Sequence, residues 1–232
     1  MSSVAVIDYG MGNLHSIAKA LQHAAPDVDV IVTSDANTIL AADRVVFPGV
    51  GAMRDCMQAL GDLNLIDVVK EVANTKPLLG ICLGMQAMLL DSQENGHTDC
   101  LGIFDGHVLK FADPLENADG EVLKVPHMGW NQVKQTAHPL WKNIPDNSRF
   151  YFVHSYYAQV KNSSHIAGTS DYPNAFACAL MKDNVFAVQF HPEKSQHVGL
   201  QLLANFLVWD GLKRQKNNLT ECPKKVHHYR HC

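Results

Sequence analysis

A cysteine framed by glycines, Gly80-Ile81-Cys82-Leu83-Gly84, interrupts the apolar run LLGICLGMQAMLL at residues 78–90. Free cysteines in such runs ordinarily pack as small core hydrophobes. The same spacing is that of a nucleophile elbow, G-x-S-x-G with cysteine in place of serine, where a strand turns abruptly into a helix and lifts the nucleophile. The glycines have a physical job in that reading, because a strained turn needs small neighbours if backbones are to pass close by. A cysteine at the amino end of a helix is also favoured as thiolate, since helix-terminal N–H groups and the helix dipole stabilise negative charge. Both readings stand on this segment alone.

A partner for the sulfur is legible at Gln189-Phe190-His191-Pro192-Glu193, at the end of the strand-like run VFAVQF (185–190). In open α/β sheets ligands bind beyond the carboxyl ends of the strands, where Cys82 is expected as well. Two residues apart on extended backbone, His191 and Glu193 turn to one face. Glu193 can then accept an imidazole N–H and orient the ring, as the acid does in a Ser-His-Asp triad. Most of the 13 histidines must be surface or structural residues; His191 is set apart by its acid and its strand end. With it, a Cys-His-Glu triad is favoured over a core cysteine. Acyl transfer through a thiolate also needs donors for the developing oxyanion. The Leu83 N–H is one candidate. The turn Pro48-Gly49-Val50-Gly51 offers a second, unless it is simply a tight loop.

The elements that must position these groups alternate. Strand-like runs at 4–8, 28–33, 44–47 and 78–82 are separated by helical pieces starting at Leu14 and covering 52–59, 66–73 and 85–90. Asn13 reads as the N-cap of the first helix, whose Leu14, Ile17, Ala18 and Leu21 recur at helical spacing. From Gly102 to Leu180 the chain favours strands (HVLKF, WNQVKQ, RFYFVHSYYAQV, HIAGTS, AFACALM), and a last helix runs from about 195 to 209. The expected class is α/β: an open mixed sheet with a parallel core, helices on both faces and an antiparallel extension. No linker divides residues 1–211, which read as one domain.

Composition excludes several classes. The net charge of −4 shows no basic excess for nucleic acid, and no apolar stretch in the chain reaches the roughly 18 residues of a membrane span. The start, MSSVAVIDYG, has no positive n-region and is not read as a signal peptide. Six scattered cysteines argue for reduced thiols in a cytoplasmic protein. Residues 212–232 are polar, without apolar periodicity, and are expected to form a mobile tail. Its Cys222, His227, His228, His231 and Cys232 match no familiar zinc spacing, so no metal is expected.

PGVG at 48–51, GICLGMQ at 80–86 and QFHPEKS at 189–195, in this order and at these distances, resemble the class I (triad-type) glutamine amidotransferases. Within that class DYGMGN at 8–13, PHMGWN at 126–131 and FYFVHSYY at 150–157 look like the glutaminase subunits of imidazole glycerol phosphate synthases. The resemblance covers residues 3–210 and implies a flavodoxin-like sheet and no cofactor. It implies that Cys82 attacks the side-chain amide of glutamine, that His191 protonates the departing nitrogen and then activates water, and that Glu193 orients the ring. The oxyanion would be held at Gly49, Val50 and Leu83. Gly51, Gln86, His154, Ser155 and Tyr156 would hold glutamine, although an aromatic run such as YFVHSYY is also what a buried strand looks like. Asn13, Trp130, Tyr151 and Lys194 sit at positions the family associates with the partner interface or gating. The implied partner is a (β/α)8-barrel cyclase subunit that conducts ammonia to a nucleotide substrate.

Three other readings remain at this level: the amidotransferase subunit of another barrel synthase, a stand-alone cysteine hydrolase, and a catalytically silent binding module. Val50 carries an expectation of its own. A valine is poorly accommodated within a completed oxyanion hole, whereas the flanking glycines let its peptide rotate, so the hole is expected to be unformed at rest.

Overall fold

The computed structural model describes residues 2–211. The segment 212–232, with its expected mobility and its cysteines and histidines, lies outside the described residues. Strands of four or more residues are numbered here. The first half runs β1 (Ser3–Ile7), α1 (Leu14–Ala24), β2 (Asp29–Thr33), α2 (Ala36–Ala41), β3 (Arg44–Gly49), α3 (Met53–Asp62), α4 (Ile66–Thr75), β4 (Leu78–Cys82) and the single turn α5 (Leu83–Gln86). The second half supplies β5 (Gly106–Lys110), β6 (His127–Gln132), β7 (Arg149–His154), β8 (Tyr156–Val160), β9 (Ile166–Asp171), β10 (Ala175–Lys182), β11 (Val185–Val188) and α6 (Gln196–Val208).

The main sheet follows the order β2-β1-β3-β4-β11-β10-β8-β5. The first five of these strands are parallel, and β11 to β10, β10 to β8 and β8 to β5 are antiparallel. This is the expected parallel core with an antiparallel extension. Strand periodicity sorts the core into two layers. Val4 and Val6 of β1 pack toward α1 and α6 with Ile17, Leu21, Leu202 and Phe206. Ala5 and Ile7 face the opposite layer, with Ile39, Met53, Leu60 and Val69 of α2, α3 and α4. Each fully buried valine, leucine, isoleucine, phenylalanine or methionine among them contributes about 1.5–3 kcal/mol. Because β3, β4 and β11 are parallel neighbours, their carboxyl ends lie together, and these carry Gly49, Cys82 and the segment leading to His191.

Three local expectations are corrected. The helix expected over 85–90 is only the turn Leu83–Gln86. Beyond it Met88 N–H and Leu89 N–H bond three residues back, and Leu90 N–H goes to the Gly106 carbonyl, which draws the chain out of the helix and onto β5. Its dipole is therefore that of one turn. Asn13 occupies the N-cap position of α1 without a side-chain capping bond. α2, absent from the sequence reading, is capped by Asp35, whose Oδ1 accepts the Thr38 N–H at 2.8 Å. Among the described residues no helix is long and apolar enough to cross a membrane.

Candidate active site

Cys82 ends β4 with φ 55° and ψ −111°, a backbone conformation that costs an L-residue about 1–3 kcal/mol. The packing around it imposes the turn. A Cβ at Gly84 would collide with the Phe47 carbonyl of β3, and one at Gly80 would meet Met88 Cε at 2.9 Å and Ala187 Cβ at 3.1 Å. Neighbouring strands thus close on the elbow from both sides. The cysteine is 8% exposed, and both readings of it hold in part: it packs within the core but also lines a cleft of about 310 Å³.

His191 lines the same cleft. His191 Nδ1 and Glu193 Oε1 are 2.8 Å apart, the two side chains 3% and 1% exposed. The backbone between them is a 3₁₀ turn, Pro192–Lys194, not the extended segment expected, and it still brings the carboxylate under the ring. Ser195 Oγ donates to the His191 carbonyl at 2.6 Å and accepts the Tyr151 N–H at 3.0 Å, while His191 N–H donates to the Tyr151 carbonyl at 2.9 Å. The histidine loop is therefore tied to β7 at two points and closed on itself by a third bond. Burial opposes charge on the ring, but Cys82 and then Glu193, as anions, outweigh it and raise His191 to about 10. Its Nε2 is buried without a hydrogen-bond partner among the described residues. Among the described residues no hydrogen bond joins Cys82 Sγ to the ring, as is common before substrate closes a site.

The cleft wall also contains Val50, Gly51, Leu83, Gln86, His154, Ser155 and Tyr156. Gly49 pairs with Cys82 across β3 and β4, and the preceding Pro48 carbonyl accepts the Tyr9 hydroxyl at 2.8 Å. Gln86 Nε2 donates to the Tyr156 carbonyl at 3.0 Å and to Gln189 Oε1 at 2.9 Å. What Gln86 offers a substrate is thus its Oε1. Both ring nitrogens of His154 are occupied inside the protein, so its ring presents carbon, not nitrogen, to the cleft. The aromatic run is half core: Phe150 and Phe152 are fully buried, while Tyr151 meets Trp130 across the β6–β7 pair at 6.0 Å between ring centroids. Trp130, Lys194 and Asn13 are exposed.

Sequence reasoning missed two groups here. Glu94 lines the cleft, and its Oε2 accepts the Met53 N–H at the start of α3 at 2.7 Å. Nothing around Ser92-Gln93-Glu94-Asn95 marks it. Gln189 lies within the segment QFHPE, where nothing in the sequence gives it a role; its Nε2 lies 3.8 Å from Cys82 Sγ. The Cys82 sulfur, the His191 ring with its Glu193 partner, the paired amides of Gln86 and Gln189 and the Glu94 carboxylate thus gather at and beside one cleft.

Fold and site together define a triad-type amidase on an α/β sheet, and the family model "Glutamine amidotransferase class-I" matches residues 5–209. The chain belongs to the class I glutamine amidotransferases. Within them it is similar to the imidazole glycerol phosphate synthase subunit HisH of Methylococcus capsulatus, with 64% identity over 90% of this chain and 98% of that protein. It is also similar to the subunit of the same name from Pseudomonas putida, 58% identical over 91% and 99%. A solved structure, PurLQS from Thermotoga maritima, shares the fold with a TM-score of 0.62 at 13% identity, covering 89% of this chain and 97% of that one.

Proposed function

We propose that this chain is the glutaminase subunit of an imidazole glycerol phosphate synthase, acting in histidine biosynthesis with residues 1–211 as a single amidotransferase domain. The observation that carries the mechanism is that Cys82 and His191 line one cleft, with Glu193 paired to His191 beneath it. The Cys82 thiolate adds to the side-chain amide carbon of glutamine, forming the C–S bond and moving the π electrons onto oxygen. The N–H groups of Leu83 and Val50, with Gly49 shaping the turn, hold that oxyanion. His191 gives its proton to the nitrogen, the C–N bond breaks, and ammonia leaves a glutamyl thioester. His191 then takes a proton from water, hydroxide adds to the thioester, and collapse returns the thiolate and releases glutamate. Glu193 keeps the ring oriented through both steps and stabilises its charged form whenever it holds the second proton.

Glutamine itself is an α-ammonium carboxylate. Glu94 supplies the one cleft carboxylate suited to the ammonium, while the backbone of Ser155 and Tyr156, with Gly51 and Gln86 Oε1, supplies the remaining polar contacts. In this reading His154 contributes through its backbone.

The partner is a (β/α)8-barrel cyclase subunit, in a cytoplasmic heterodimer. Free ammonia is mostly protonated in neutral water and no longer nucleophilic, so a docked acceptor enzyme avoids that loss. Exposed Trp130, with Tyr151 behind it, and exposed Lys194 and Asn13 form the docking and gating face in this reading. The relatives' names support it, since each is called a synthase subunit. The test is glutamine hydrolysis with and without a purified cyclase subunit and its nucleotide substrate: strong stimulation is expected, with all activity lost in Cys82→Ala. Full-rate hydrolysis by the isolated chain would instead indicate a stand-alone hydrolase.

A further inference from the structure

The mechanism does not use His127, a buried histidine on β6, yet its hydrogen bonds run in one direction toward the cleft. His154 Nδ1 lies 2.8 Å from the Tyr156 carbonyl oxygen, which can only accept, so Nδ1 carries a proton. Burial, against the pull of that carbonyl, holds the His154 ring neutral at about 3, which leaves its Nε2 bare. His127 Nδ1, 2.9 Å from that Nε2, is therefore the donor. Burial also lowers His127, to about 4, so its own Nε2 is an acceptor. Asn131 Nδ2 stands 3.3 Å from it and 2.9 Å from the Asp171 carbonyl, while Asn131 Oδ1 accepts the Gln132 N–H at 2.8 Å. The direction of the relay is thus set from both ends. The His127 ring is held between Tyr172 and Phe152, at centroid distances of 3.9 and 4.9 Å.

The relay ends on an oxygen with two duties, because Tyr156 O also receives Gln86 Nε2 at 3.0 Å. We propose that His127 is a positioning residue for glutamine binding: its Nδ1–H holds His154 in the Nδ1–H tautomer, and His154 in turn fixes the Tyr156–Tyr157 peptide and, through its carbonyl, Gln86 in the cleft wall. Without that donor, His154 is free to move its proton to Nε2, and the Tyr156 carbonyl loses one of its two partners. The proposal deepens the glutaminase reading and rests on it for the identity of the substrate.

Two measurements test it. Long-range ¹H–¹⁵N correlation spectra of the full chain report ring tautomers directly; both His127 and His154 are expected protonated at Nδ1 and bare at Nε2. His127→Phe keeps a ring between Tyr172 and Phe152 but removes the donor. Assayed in complex with the cyclase subunit, this variant is expected to raise the glutamine KM about tenfold with kcat within about twofold, since only binding is disturbed. His127→Gln, whose amide N–H can donate, should recover part of that loss. An unchanged KM, a loss confined to kcat, or a wild-type His154 protonated at Nε2 each overturns the proposal. If His127→Phe does not fold, the wild-type spectra decide on their own. Labelling of Cys82 by an electrophilic glutamine analogue separates the two levels: its absence in the wild type removes glutamine as substrate and leaves the tautomer result standing.

Discussion

Glu193 Oε1 sits 2.8 Å from His191 Nδ1 with both side chains sealed from solvent. In a low-dielectric pocket such a pair acts through charge as well as orientation. Glu193→Gln keeps an acceptor oxygen for the Nδ1–H but removes the charge, so imidazolium formation becomes harder while the geometry survives. The kcat of glutamine hydrolysis is expected to fall by about 10²- to 10⁴-fold, the range of general acid–base catalysis, with KM little changed. Steady-state kinetics of the complex checks this; a change confined to KM would place Glu193 outside the chemistry.

The proton on His191 has a stated origin, and that gives a pH signature. Burial alone would lower the ring; Cys82 first and Glu193 second raise it to about 10, from an ordinary value of 6.5. Below 6.5 the histidine is protonated in folded and unfolded chains alike, and the pairing stabilises the fold in full. Between 6.5 and about 10 only the folded chain holds the proton, so this stabilisation is lost as pH rises through that window. In Cys82→Ala the larger source of the rise is gone. NMR titration should then show the His191 ring moving downward, and thermal melts from pH 7 to 10 should lose part of their alkaline decline.

Backbone strain at the nucleophile predicts a reversal of the usual residue ranking. Glycine is ordinarily about 0.5–1 kcal/mol worse than alanine inside a regular element. At residue 82, with φ 55° and ψ −111°, alanine inherits the strain of the cysteine and glycine relieves it. Both variants lose the sulfur and all glutaminase activity. Chemical denaturation should nevertheless rank Cys82→Gly above Cys82→Ala by about 1 kcal/mol; the opposite order would mean that the elbow is not strained.

What the sequence made legible follows the range of the interactions concerned. The elbow and the His191–Glu193 pair are local patterns whose chemistry requires those residue types, and the parallel core is written in the alternation of strand-like and helical runs along residues 4–82. The helix expected over 85–90 failed because an all-apolar run has no period to read, and its end is set by a bond from Leu90 to the distant Gly106. Glu94 and His127 were not found for the same reason. One is aimed by a bond to Met53 and the other by His154, and no spacing in the chain anticipates either contact. The Asp35 cap of α2 was visible in principle as an aspartate three residues before Thr38, but the helix behind it is only six residues long.

Val50 lines the cleft and is 40% exposed. The Pro48 carbonyl is anchored by the Tyr9 hydroxyl, so any rearrangement that completes the oxyanion hole must occur just beyond it, in the peptides of Gly49, Val50 and Gly51. Flanking glycines make that rotation accessible, whereas the branched Val50 side chain restricts it and holds the resting state. Val50→Gly should therefore raise glutamine hydrolysis by the isolated chain and reduce the factor by which the cyclase subunit and its nucleotide stimulate it. The stimulated rate itself should stay within a few-fold of wild type, because the partner already drives the hole to completion there. Measuring both rates in one variant separates this from a general loss of order, which would lower the stimulated rate without raising the basal one.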